Sequence, residues 1–105
     1  MKTVKYIRVS TSEQNIDRQQ ERGVKEYVDK CSGVIKFAAR PAAKKLLNEI
    51  TRQQDKINLP PNKRISTIKV SAISRLGRNL QDILNTVDFL THLGICIISE
   101  KEGIR

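Results

Sequence analysis

The sequence predicts an α/β domain built on a mainly parallel sheet of four or five strands, with helices on both faces. Short segments rich in β-branched residues alternate along the chain with longer segments whose apolar residues recur at helical spacing. This alternation requires crossover connections, and therefore parallel strands. The 105 residues suffice for one hydrophobic core, so residues 1–105 are expected to form a single domain.

A first strand is expected at residues 3–9, where β-branched and aromatic side chains suit a strand buried on both faces. The serines and threonine that follow can cap a helix, which is expected from about residue 12 to 22 and is ended by Gly23. Residues 24–30 are interpreted as a second strand, although their apolar spacing would equally suit a helical face.

Pro41 is well placed as the first residue of the next helix, whose apolar residues recur at helical spacing until about Gln53. Residues 54–64 contain two consecutive prolines and no periodicity, so they are expected to form a mobile connection. Alternating apolar and polar residues then predict a third strand at about residues 66–73.

Asn79 can cap the last helix, which has one apolar face, and Gly94 is suited to end it. Residues 95–99 are expected to form a fourth strand. Because the carboxyl ends of parallel strands meet at one edge of the sheet, side chains that follow the first and third strands are candidates for a common site.

The charge of the chain points to a polyanionic partner. Lys and Arg total 20 against 11 Asp and Glu, and residues 36–78 alone hold eleven basic and two acidic side chains. Only four residues are aromatic, so base stacking is not expected and the phosphates of duplex DNA fit better than a single strand. The alternative is a basic surface that serves solubility alone.

Cysteine and histidine content excludes several classes of site. Cys31, Cys96 and the single His92 cannot form a disulfide framework or supply the four ligands of a structural zinc ion. The cysteines are expected to be small buried residues in a reducing compartment, and His92 an exposed residue near a helix end. No apolar run approaches the roughly 20 residues of a membrane span, and no signal peptide is recognisable, so a cytoplasmic protein is expected.

Two clusters of residues carry candidate chemistry. Arg8 and Ser10 lie at the end of the first strand, and Arg75 and Arg78 follow the third. A hydroxyl among guanidinium groups suits attack on a phosphate, because arginine binds phosphate oxygens in pairs and neutralises charge in the transition state. The plain alternatives are helix caps at the serines and a simple strand-to-helix turn at the arginines.

Several short motifs together resemble those of the serine recombinases, the resolvase and invertase family. The motifs, in order, are YIRVST at 6–11 followed by Gln14, Asp17 and Gln19, DKCSG at 29–33, Arg40 before a helix, and SRLGRN at 74–79. The resemblance to the catalytic domain of this family covers residues 3 to about 104. It implies attack by a serine hydroxyl on a DNA phosphodiester, a 5′-phosphoserine intermediate, strand exchange and rejoining, without a metal ion or a nucleotide cofactor.

The resemblance also implies roles for individual residues. Ser10 matches the nucleophile, and Gln19 matches a polar residue of the same site. Arg8, Arg40, Arg75 and Arg78 match the arginines around the scissile phosphate and are expected to contact DNA. Lys56 is only a candidate for the active-site lysine and a DNA contact, because the connection that contains it has a spacing of its own.

The chain departs from the family at two acids. Ser74 stands where the family has an acid before the arginine of the RLGR turn, and Ser66 where another acid is frequent. A carboxylate there could orient an arginine or transfer a proton, so the departure bears on the rate of catalysis rather than on the fold.

Family members continue through a long helix that makes a homodimer or homotetramer, and into a DNA-reading region. The chain as it stands, ending at Arg105, is therefore expected to be monomeric or weakly associated and to bind duplex DNA. The first alternative is a catalytically silent DNA-associating or protein-interaction module that keeps the recombinase fold. A small phosphoryl-handling domain unrelated to DNA is disfavoured by the arginine count.

Overall fold

A computed structural model describes residues 2–10, 24–101 and 103 of the chain. Within these residues it contains the strands β1 (Lys2–Val9), β2 (Lys25–Lys30), β3 (Ile65–Val70) and β4 (Cys96–Ser99), and the helices α1 (Pro41–Gln53) and α2 (Leu80–His92). Short 3-10 helices lie at Phe37–Ala39, Pro61–Lys63 and Ile73–Leu76. The helix predicted at residues 12–22 lies outside the described residues.

The four strands form one parallel sheet in the order β2-β1-β3-β4. The chain therefore passes outward from β1 to β2, crosses back over β1 to β3, and continues to β4. The connections therefore run in opposite directions on the two sides of the boundary between β1 and β3. Open α/β sheets form ligand crevices at such a boundary, beyond the carboxyl ends of the strands. The predicted α/β fold with a parallel sheet is confirmed.

The hydrophobic core lies between one face of this sheet and the two described α-helices. Val4 is registered with Ile68, and Ile68 with Ile97, so these buried side chains point to the same face. Leu46 of α1 and Leu90 of α2 are buried in the same cluster. Both helices consequently cover this face, and the segment expected to cover the opposite face falls among the residues that the structure does not describe.

The ends of α1 agree with the sequence prediction. Pro41 is its first residue, where the missing backbone N–H costs no hydrogen bond. At its other end, the Arg64 guanidinium donates to the carbonyl oxygens of Gln53, at 2.8 Å, and of Lys56. Arg64 thus ties the connection 54–64 to the helix, and the expected mobility of that connection stays a prediction.

The ends of α2 also agree with the sequence prediction. Asn79 Oδ1 accepts the backbone N–H of Asp82 at 2.8 Å, which confirms the predicted cap. Gly94 follows the helix with a φ of +79°, a conformation that favours glycine. His92 is the exposed last residue of the helix, as expected. None of the helices in the described part of the chain is long and apolar enough to cross a membrane.

Two predictions from the sequence are wrong in detail. β3 ends at Val70 rather than near residue 73, because the backbone turns into a 3-10 helix and the Arg75 N–H donates to the Ala72 carbonyl at 3.0 Å. Ser74 accordingly lies exposed in a turn and not at the end of a strand. Cys96 is exposed as the first residue of the edge strand β4, whereas Cys31 is buried as expected.

Candidate active site

The candidate site lies at the carboxyl edge of the sheet, where β1, β2 and β3 end. Arg8 is next to last in β1, and Ser10 follows the strand half-buried. The Cys31 N–H donates to the Val9 carbonyl at 3.0 Å, so the segment after β2 begins beside Ser10. The segment after β3, residues 71–79, carries Arg75 and Arg78. The fold thus brings the two predicted clusters to one edge of the sheet.

Arg8 is held against the turn of the DKCSG motif. Its Nη1 donates to the Cys31 carbonyl at 3.0 Å. A Cβ atom placed on Gly33 would lie 3.4 Å from Arg8 Cζ, so the glycine lets the guanidinium pack closely on the backbone. These contacts hold the guanidinium group of the half-buried Arg8 against the segment that follows β2.

Arg40 is fully buried rather than on the surface. Its Nε donates to the Ile35 carbonyl at 3.0 Å, and its Nη1 donates to the Arg75 carbonyl at 2.6 Å and to the Tyr6 hydroxyl at 3.3 Å. Its Nη2 is buried without a hydrogen-bond partner. A buried donor without an acceptor costs free energy, which an anionic oxygen brought to this position would offset. Arg40 reaches DNA only if the surrounding segments open.

Asp29 and Tyr6 are site residues that sequence reasoning missed. Asp29, only 3% exposed, accepts the Tyr6 hydroxyl at 2.9 Å and the backbone N–H groups of Ala42 and Ala43 at 2.8 and 3.0 Å. Burial raises the pKa of Tyr6, so its hydroxyl stays protonated and donates to this carboxylate. One signal was available: α1 begins after Arg40, whose side chain makes no cap, so its first N–H groups are open to an acceptor from another segment.

Arg75 and Arg78 lie on a turn that packs directly on α2. Arg75 is half-buried within the 3-10 helix, and Arg78 is exposed just before the cap of α2. A Cβ atom on Gly77 would lie 2.6 Å from the backbone nitrogen of Ile83, so the turn can approach the helix this closely only with glycine. Gly77 therefore sets the distance between the two arginines and α2.

The remaining predicted residues are placed elsewhere. Lys56 is exposed beside a cleft of about 210 Å³ that Lys2 also lines, at the amino edge of the sheet. Ser10 follows Lys2 by eight residues of extended chain, which span about 26 Å, so Lys56 is remote from Ser10. Ser66 lies near the same amino edge, within 3.5 Å of the Lys2 carbonyl. Gln19 lies outside the described residues.

Comparison with known proteins identifies a family model that matches this chain and several relatives of similar sequence. The family model of the resolvase N-terminal domain matches residues 3–105. The chain is 37% identical over 101 residues to the Tn501 resolvase of Pseudomonas aeruginosa, and 38% identical over 102 residues to the Tn21 resolvase of Escherichia coli. It is 33% identical over 104 residues to the Tn552 resolvase of Staphylococcus aureus. Each alignment covers 94% of this chain, which spans about half the length of these relatives, 46 to 47%.

Proposed function

Because this chain belongs to the family of the resolvase N-terminal domain, we propose that it is the catalytic part of a site-specific DNA recombinase of the serine type. The observation that carries the proposal is the common edge of the sheet, where Arg8 lies near the end of β1, Ser10 follows that strand, and Arg75 and Arg78 follow β3. A hydroxyl surrounded by permanently charged guanidinium groups suits reaction at a phosphodiester.

In the proposed reaction, Ser10 Oγ forms a bond to the phosphorus and releases its proton, while the bond from phosphorus to the 3′ oxygen breaks. The departing oxygen takes up a proton and becomes a 3′-hydroxyl, and the 5′ end of the other fragment stays linked to Ser10. Attack by a 3′-hydroxyl on this phosphoserine reverses the step and rejoins the strand. The arginines neutralise the charge on the phosphoryl oxygens, and no metal ion or nucleotide takes part.

Duplex DNA is the proposed partner, and the net charge of +9 supports it. The chain by itself should bind duplexes weakly and without sequence preference, with an affinity that falls steeply as salt rises, since phosphate contacts dominate. We further propose that the full-length architecture of the family forms a homodimer or homotetramer, that this chain alone is monomeric or weakly associated, and that it lies in the cytoplasm on the nucleoid.

One alternative has a specific observation in its favour. Ser74, which directly precedes Arg75, stands where the family resemblance implies an acid, so the site would hold a phosphate without a carboxylate to orient the arginine for cleavage. The chain would then be a catalytically silent module that associates with DNA.

The experiment is covalent trapping on a suicide duplex, in which the cleaved fragment diffuses away and leaves the protein attached to DNA. Wild-type protein should form an adduct that resists denaturation, and Ser10→Ala should form none while folding nearly normally, since a lost cap costs about 1 kcal/mol. Ser71→Ala, at an exposed serine just after β3, is the matched control and should react like wild type. An adduct with Ser10→Ala would refute the assignment. DNA binding without any wild-type adduct, when the chain is joined to the second half of a transposon resolvase, would favour the silent module.

A further inference from the structure

Asp82 is a buried carboxylate to which neither the sequence motifs nor the proposed reaction gives a role. It is the third residue of α2 and is only 7% exposed. Its Oδ2 accepts two backbone N–H groups, from Arg78 at 2.9 Å and from Phe37 at 3.0 Å. One oxygen atom therefore joins the turn before α2 to a residue 45 positions earlier in the chain.

These two hydrogen bonds connect the segments that carry the arginines. Phe37 belongs to the segment 31–40, which ends at Arg40, and Arg78 belongs to the segment 71–79. A second connection joins the same segments, because Arg40 Nη1 donates to the Arg75 carbonyl at 2.6 Å. With these connections intact, the backbone positions of Arg40, Arg75 and Arg78 are fixed relative to one another.

We propose that Asp82 is a positioning residue for Arg78 as a phosphate-binding arginine. It fixes the backbone at Arg78 and Phe37, so that the exposed guanidinium group of Arg78 meets a phosphate in one arrangement. An arginine on a fixed backbone has fewer placements to lose on binding, and small displacements of a binding group weaken contact strongly. This role rests on the proposed function, because it assumes that Arg78 contacts DNA phosphate.

A purely structural role for Asp82 has a different consequence. An acid in the first turn of a helix stabilises it through the helix dipole, so its loss would lower the stability of the fold. Such a loss would not change the DNA affinity of protein that is still folded. Removing any acid raises the net charge by one, which should by itself tighten DNA binding. This effect of charge is separated from the effect of positioning by comparing two variants of equal charge.

The test compares Asp82→Ala with Asp82→Asn in binding to a fluorescein-labelled duplex, measured by anisotropy under conditions where urea unfolding shows both variants folded. The two variants have the same charge, but only Asn keeps an oxygen that can accept both N–H groups. Asp82→Asn should bind at least as tightly as wild type, and Asp82→Ala about tenfold more weakly than Asp82→Asn, the effect expected of one charge-assisted contact. Asp88→Ala and Asp88→Asn, at an exposed position of α2, are the matched controls and should bind equally.

Equal affinity of Asp82→Ala and Asp82→Asn would overturn the positioning role. If Asp82→Ala does not fold, Asp82→Glu decides, because it keeps the charge but displaces the carboxylate by one methylene. The Glu variant should bind more weakly than wild type, and unchanged affinity would overturn the proposal.

Arg78→Gln separates this inference from the proposed function. It should weaken duplex affinity about tenfold and lower the slope of log affinity against log salt by about 0.9. If Arg78→Gln binds DNA like wild type, the proposed contact between Arg78 and DNA is refuted. The proposed role of Asp82 in DNA binding is then refuted as well, because it depends on that contact. If Arg78→Gln is weakened while the two Asp82 variants bind equally, only the role of Asp82 is overturned.

Discussion

Replacing Asp29 by alanine tests whether the arrangement of the site depends on one buried carboxylate. Asp29 accepts three hydrogen bonds, from the Tyr6 hydroxyl and from the first turn of α1 at Ala42 and Ala43. Asp29→Ala removes all three acceptors at once. The Tyr6 O–H also loses its acceptor, because Arg40 Nη1 can only donate to the Tyr6 oxygen, and the two N–H groups of α1 lose their partner in a site that water enters poorly.

The magnitude follows from the number and kind of bonds. Hydrogen bonds to a charged group contribute about 1.5–3 kcal/mol each, but they are not additive, and breaking a buried charged network typically costs about 3–5 kcal/mol. Domains of this size have a total stability of about 5–15 kcal/mol, so Asp29→Ala should remove about a fifth or more of it. Asp29→Asn should cost about 2 kcal/mol, because its oxygen can replace Oδ2 while its NH₂ group opposes the N–H of Ala42.

Urea unfolding followed by circular dichroism measures these losses. With a slope of about 2 kcal/mol per M, Asp29→Ala should lower the midpoint by about 1.5–2.5 M and Asp29→Asn by about 1 M. Asp55→Ala, at an exposed acid just after α1, makes the same charge change and should leave the midpoint within about 0.3 M of wild type. The reasoning is refuted if Asp29→Ala loses less than about 1 kcal/mol beyond this control.

Two further predictions concern pH and charge. Burial raises the pKa of Tyr6. Burial, and to a smaller extent the hydrogen bond to Glu49, raises the pKa of Tyr27. Both tyrosines therefore contribute stability that is present below their unfolded pKa of about 10 and is lost as the pH rises above that value. The urea midpoint should therefore be nearly level from pH 7 to about 9.5 and fall at higher pH, and Tyr6→Phe should make that fall shallower; an equally steep fall in this variant would contradict the assignment. Ser74→Asp should slightly weaken non-specific duplex affinity in this chain and, when the chain is joined to the second half of a transposon resolvase, raise the cleavage rate by up to about 100-fold. Unchanged or slower cleavage would show that the missing acid is replaced elsewhere or not needed, which removes the main support for a catalytically silent module.

The sequence by itself determined the elements that depend on neighbouring residues. Pro41 and the spacing of apolar residues predicted α1 with both ends as observed, and Asn79 and Gly94 predicted the ends of α2. The order of strands and helices predicted a parallel sheet, and this order placed Ser10 and the RLGR arginines at one edge. A cap, a helix face or a strand is set by residues a few positions apart, so its signal can be detected in a short stretch of sequence.

Only the tertiary structure decided which polar groups are buried and what holds them. Arg40 resembles a surface arginine in the sequence, yet it is enclosed by Tyr6, 34 residues away, and by the Arg75 carbonyl, 35 residues away. Asp29 and Asp82 resemble ordinary acids of a strand end and a first helical turn. Each becomes a connector because a distant segment brings N–H groups to its carboxylate, across 13 and 14 residues for Asp29 and 45 for Asp82. Strand pairing and helix packing over the whole domain determine which groups become partners, so a short stretch of sequence does not predict the partner of either acid.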